Sequence, residues 1–141
     1  MKVKYISDFI PNIKNIYEES VNTFNSLSDL MDDTYMGYRV NQHMMCWIND
    51  DGQIGEIECI YPSEIKKEKI LIEEHCLQIK KGFPMLDMSS NIIETSLSVF
   101  NSHDYFIMYL SEDNNYSMLL EAKSIIFYLN KSKIIAIKAI K

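Results

Sequence analysis

The chain is poor in the residues that usually announce a function. Its 141 residues include one arginine (Arg39), one tryptophan, four glycines, three prolines and three cysteines. The shortage of arginine removes the guanidinium forks with which nucleic-acid binders grip phosphate, and a formal net charge of −6 points the same way, so no nucleic-acid partner is expected. So little Gly and Pro, beside 47% apolar and 24% charged residues, excludes a linker or a disordered tail and favours a single domain over residues 1–141. A chain of this length hides roughly two-thirds of its unfolded surface, enough to hold together without disulfides or a structural metal. Cys46, Cys59 and Cys76 are odd in number with no Cys-x-x-Cys, and read as buried thiols in a reducing cytoplasm. The opening segment meets Asp8 before an apolar region forms, so it is not a signal peptide. No uncharged run approaches the roughly 20 residues that cross a bilayer. The expected setting is cytoplasmic, with no membrane partner.

The signatures of chemistry are missing too. With glycine only at 37, 52, 55 and 82 there is no Gly-rich phosphate loop, and no Gly-x-Ser-x-Gly, His-Glu-x-x-His or calcium-loop pattern occurs. His75 and Cys76 are adjacent, and neighbours on a strand point to opposite faces, so adjacency does not make them a catalytic couple. The reading is therefore a protein without catalytic residues, cofactor or metal. An enzyme would need His43, His75 or His103 to meet a carboxylate in a cleft.

What is present is hydrophobic periodicity. After a strand over 2–6, Ile13, Ile16, Tyr17, Val21, Phe24, Leu27, Leu30 and Met31 recur at steps of three or four and predict an amphipathic helix over 11–31. Beyond Asp33 the period falls to two. Residues 43–49 and 53–61 flank Asp50-Asp51-Gly52 and read as a hairpin, which Pro62 ends; 124–129 and 133–140 make a second. Strands are expected at 70–79, 92–100, 104–111 and 116–121, with helix as the alternative for 63–81, and turns at 81–84 and 112–115. The fold class expected is α+β, an N-terminal amphipathic helix packed on a mainly antiparallel, hairpin-rich β-sheet. Likeness between the two hairpins is what any two hairpins share.

Charge is unevenly spread. Residues 1–60 carry ten acids against four bases, and residues 61–141 ten of each, so the excess lies wholly in the first part. Asp29, Asp32 and Asp33 fall at the end of the predicted helix, where the macrodipole disfavours anions. With Asp50, Asp51, Glu56 and Glu58 they compose a candidate negative face, for which Tyr35 and Tyr38 are candidate anchors and Trp47 is expected in the core. In the bland alternative, Asp50 and Asp51 make a turn while Glu56 and Glu58 are the solvent side of a strand. Nine methionines and the aromatics read as core filling, although a Met- and aromatic-lined pocket for a small molecule is a second functional reading.

Asn49-Asp50-Asp51-Gly52-Gln53-Ile54-Gly55-Glu56-Ile57-Glu58, running into Ile60-Tyr61-Pro62, and the closing Ile126-Phe127-Tyr128-Leu129-Asn130 carry a resemblance. In these segments the chain resembles the small cytoplasmic immunity proteins of bacterial toxin-immunity systems, including those of contact-dependent growth inhibition. The resemblance implies a cognate basic protein toxin as partner, a nuclease by preference, neutralised by stoichiometric binding through Asp32, Asp33, Tyr35, Tyr38, Asp50, Asp51, Glu56 and Glu58. A homodimer through an open sheet edge such as the last strand is a further expectation.

Overall fold

The computed structural model describes residues 1–69, 73–94, 96–113 and 115–141, with residues 73–77 described as backbone alone. Along the chain run β1 (Val3–Ser7), β2 (Ile13–Glu18), a three-residue 3-10 turn (Glu19–Val21), β3 (Thr23–Ser28), β4 (Met36–Asn41), β5 (Met44–Ile48) and β6 (Ile54–Ile60). There follow β7 (Ile65–Lys66), β8 (Glu73–Lys81), β9 (Phe83–Leu86), β10 (Ser98–Asn101), β11 (Tyr105–Tyr109), β12 (Asn115–Ala122), β13 (Ile125–Asn130) and β14 (Lys133–Ile140). They form a five-stranded sheet β2-β3-β6-β5-β4, a seven-stranded sheet β7-β10-β11-β14-β13-β12-β8, and the pair β1-β9. Among the described residues no helix is long and apolar enough to cross a membrane.

The helix expected over 11–31 does not exist, and the class is β rather than α+β. Residues 13–28 are an antiparallel pair, β2 and β3, joined through Asn22 at φ 44°. The periodicity misleads because polar residues share the inward positions with Ile13, Tyr17 and Phe24 while apolar ones also face outward. Asn15, Ser26 and Ser28 are buried beside Phe24, whereas Ile16 and Leu27 are each 39% exposed on the outer side. The amide of Asn15 makes that burial tolerable by donating to the carbonyls of Ser124 and Ile140, at 2.9 Å each, which ties β2 to the seven-stranded sheet. Without a helix, the conflict of Asp29, Asp32 and Asp33 with a macrodipole disappears.

Other boundaries move as well. Residues 63–81 hold β7 and β8 instead of the alternative helix, with 70–72 of the expected strand outside the described residues. The strand expected at 92–100 shortens to β10, and residue 95 lies outside the described residues. Residues 83 and 84, expected in a turn, open β9, where Pro84 sits opposite Ile6. The turn at 112–115 includes residue 114, also outside the described residues, and Asn115 already begins β12. Both hairpins form as expected, β5 with β6 and β13 with β14. The last strand is no open edge, because β14 lies between β11 and β13.

The five- and seven-stranded sheets meet across a shared core. Phe24 stacks on Tyr17 with centroids 4.5 Å apart and meets Phe106 of the opposite sheet edge-on at 5.1 Å. Phe83 of β9 packs likewise on Phe127 at 5.7 Å, so the β1-β9 pair belongs to the same core. Glu94, almost fully buried, accepts the Met1 ammonium. Ser26 is a weakness in this core. Its hydroxyl is buried and has no hydrogen-bond partner. Ser26→Ala is expected to raise stability by about 1 kcal/mol, because it removes an unsatisfied buried hydroxyl at little cost in volume. Urea unfolding reads this as a higher midpoint at unchanged slope.

A second apolar cluster lines the other side of the seven-stranded sheet, with Tyr109, Tyr116 and Tyr128 around Ile107 and Ile135. Lys66 and Glu73 lie on opposite edges of this sheet. The chain between them reaches about 25 Å at most, less than the roughly 29 Å that a flat sheet of this width would need. The sheet is therefore coiled. On the tyrosine side the Tyr128 hydroxyl is pushed up to about 12, first by burial and then by the nearby hydroxyls of Tyr116, Tyr109 and Tyr105.

Candidate functional site

The acidic loops are built by short polar motifs. Asp32 accepts from the amide of Thr34 at 2.9 Å and from its hydroxyl at 2.5 Å, which turns the chain into β4 and holds the carboxyl below its usual range. Asn49 governs the β5-β6 turn. Its side-chain oxygen accepts from the amides of Asp51 at 3.1 Å and Gln53 at 2.9 Å, and its carbonyl accepts from Gly52 at 3.0 Å. Asp50 and Asp51 are left exposed at the tip. The turn is not free, because the amide of Leu86 donates to the Gly52 carbonyl at 2.8 Å.

Tyr35 brings the two loops together. It is only 9% exposed, its hydroxyl donates to Gln53 Oε1 at 3.2 Å, and its ring lies over Gly55 together with Met31. A Cβ on Gly55 would stand 2.6 Å from that ring, so a side chain there would lift the 29–35 loop. Burial raises the Tyr35 hydroxyl above its ordinary range, and the nearby charges of Asp32 and Asp51 add to the rise. Tyr35 is thus a brace between the loops, not an exposed anchor.

The ladder registers place the remaining candidates. One row across the outer side of the five-stranded sheet runs Lys14, Leu27, Glu56, Trp47, Gly37, and the next runs Ile16, Asn25, Glu58, Met45, Arg39. Glu56 and Glu58 are the solvent side of β6, with Ile57 and Cys59 in the core, as alternation predicts. Trp47 is not in the core. It lies half-buried on the outer side against Gly37, where an added Cβ would meet its Nε1 at 3.1 Å. Asn25 donates to Glu56 at 2.6 Å, and the Glu58 carboxyl is pushed up by partial burial and by Glu56. Tyr38 falls on the opposite side, packed against the core.

Leu27, Met36, Ile48 and Ile54 all sit at one end of this sheet, so the 29–35 and 49–53 loops share that end. The structure therefore gathers Asp29, Asp32, Asp33, Asp50 and Asp51 at one pole and sets Glu56, Trp47 and Glu58 on the adjoining face. Among the described residues none of these carboxylates forms an ion pair. Lys14 and Arg39 stand at the two edges of the face. The alternation signal gave away Glu56 and Glu58, while nothing in the sequence separated Trp47 from a core residue.

Among the described residues, chemistry-bearing groups elsewhere do not converge. His103 pairs only with its neighbour Asp104 in an exposed turn, His43 is half-buried beside Asn41, and the side chains of His75 and Cys76 lie outside the described residues. Burial pushes the Cys46 and Cys59 thiols up to about 12, far from nucleophilic. Among the described residues no three His, Cys, Asp or Glu gather as metal ligands. The clefts they line are open, one of about 390 Å³ by Ile10, Lys81, Glu121, Lys123 and Ile126 and another of about 310 Å³ along Tyr38, Arg39, Met88 and Ile92. No protein-family model matches the chain, and no curated protein is significantly similar to it.

Proposed function

We propose that the protein is a stoichiometric inhibitor of the immunity type, which docks its acidic pole and the Trp47 face onto a basic protein toxin. The observation that carries this reading is the unpaired state of the carboxylates at one pole, beside a half-exposed tryptophan. A surface built for solubility alone intersperses both signs. Here Asp29, Asp32, Asp33, Asp50 and Asp51 share an end and, among the described residues, form no ion pair; Lys14 stands on the adjoining sheet, and Lys123 approaches through Asn12, which donates to Asp29. Such a pole attracts the lysines and arginines that line a nuclease cleft, and a protein seated there excludes the nucleic-acid substrate. Trp47, with Glu56 and Gly37 as its cross-strand neighbours and Met45 two residues before it on the same side of β5, has the make-up of an interface centre, an aromatic anchor beside apolar and polar groups. The inhibitor itself turns over nothing and needs no cofactor. The test is co-purification with the toxin encoded beside its gene: a 1:1 complex and loss of toxin activity at equimolar inhibitor are expected, and a toxin left active and unbound would refute the proposal.

A further inference from the structure

Lys138 stands where a lysine is costly. It lies on β14, the central strand of the seven-stranded sheet, on the tyrosine side, with Ile107 and Ile126 as its cross-strand neighbours. Its Nζ is 4.3 Å from the centroid of the Tyr105 ring, and Lys69 Nζ approaches the same ring at 6.0 Å. Among the described residues neither ammonium has a carboxylate partner. Glu121 occupies the same row but beyond Ile126, facing Lys81, and Asp104 is turned to His103. Partial burial, and then the charge of Lys69, hold the Lys138 ammonium below the usual lysine range. Ring contact offsets part of that penalty. An apolar residue would fit the row without any penalty, and a local conflict of this kind marks a working position rather than a structural one.

We propose that Lys138, Lys69 and the Tyr105 ring bind a carboxylate carried on a flat apolar body, at the end of the aromatic side of the seven-stranded sheet. The carboxylate would sit between the two ammoniums and relieve their repulsion. The body would lie on Tyr105 and Phe100, whose centroids are 6.0 Å apart with the rings tilted at 45°. Two ammonium point charges attract an anion without dictating a forked geometry, and the aromatic rings beside them favour one carried on a flat apolar body over a free phosphate. Tyr105, Phe100 and Lys69 are half-buried or exposed, so the site is open to solvent. It lies on the side of the large sheet turned away from the five-stranded sheet and shares no residue with the acidic pole, so it stands independently of the inhibitor reading.

The experiment is a titration of the isotope-labelled protein with benzoate, acetate and inorganic phosphate, followed by amide and tyrosine-ring NMR shifts. Benzoate should bind saturably, with shifts centred on Tyr105 and Lys138, and more tightly than acetate or phosphate. Lys138→Met should weaken benzoate binding about tenfold or more, while raising the melting temperature because a partly desolvated charge is gone. Lys138→Gln, which keeps the length and removes the charge, should show the same loss if the methionine variant fails to fold. Benzoate affinity unchanged in both variants, or no saturable shift at Tyr105, would overturn the proposal. Phosphate bound more tightly than benzoate would overturn the carboxylate assignment.

Discussion

Gly52→Ala is expected to destabilise the protein by about 3 kcal/mol, since of the four glycines it is the one where an added Cβ meets backbone most closely. Two causes add. Gly52 holds φ at +86°, a left-handed conformation that L side chains rarely adopt, and a Cβ there would stand 2.1 Å from the carbonyl oxygen of Leu86. Neither partner is a flexible side chain, so the backbone of the β5-β6 turn or of β9 has to move. That contact is where the five-stranded sheet meets the β1-β9 pair, through the Leu86 amide and the bridge between Gln53 and Met85. Chemical denaturation measures the loss. Asp51→Ala, one residue away and exposed, is the control and should change stability by less than about 0.5 kcal/mol. Similar midpoints for the two variants would mean that the turn is not seated on β9.

The second large effect concerns binding. In the proposed complex, reversing Asp50 and Asp51 together to lysine should weaken the toxin's affinity about tenfold or more, because close charge pairs across such interfaces couple by about 1.5 kcal/mol and upwards. Both side chains are exposed and unpaired, so the fold should tolerate the change. Trp47→Ala should act differently, with a loss of about 2 kcal/mol appearing mainly in the dissociation rate, as for an anchoring aromatic. Surface plasmon resonance separates the two. Full affinity in the double reversal would remove the β5-β6 tip from the interface.

Why the sheet-forming half of the chain was legible and its beginning was not comes down to which residues occupy the inward positions. In β6, Ile57 and Cys59 face the core between Glu56 and Glu58, so alternation and the Asp-Gly turn reveal strand, register and exposure together. In β2 and β3 the core side mixes Asn15, Ser26 and Ser28 with Ile13, Tyr17 and Phe24, and the apolar Ile16 and Leu27 face outward. Hydrophobicity there follows a helical period by accident of composition. What makes it a sheet is tertiary: Phe24 meets Phe106, and the Asn15 amide reaches carbonyls more than a hundred residues away. The candidate site divides in the same way. Glu56, Glu58 and the Asp50-Asp51 tip were visible locally, whereas the bracing by Tyr35 and the outward turn of Trp47 depend on Gly55 and Gly37, whose missing side chains make room for those rings.

If the acidic pole steers the chain onto a cationic protein, as proposed, the association rate in the proposed complex should respond to salt, and stopped-flow mixing at rising ionic strength measures it. The expected rate falls steeply with ionic strength in the native chain and much less in the Asp50→Lys, Asp51→Lys double variant. An association rate indifferent to salt, or equally salt-dependent in both proteins, would contradict it.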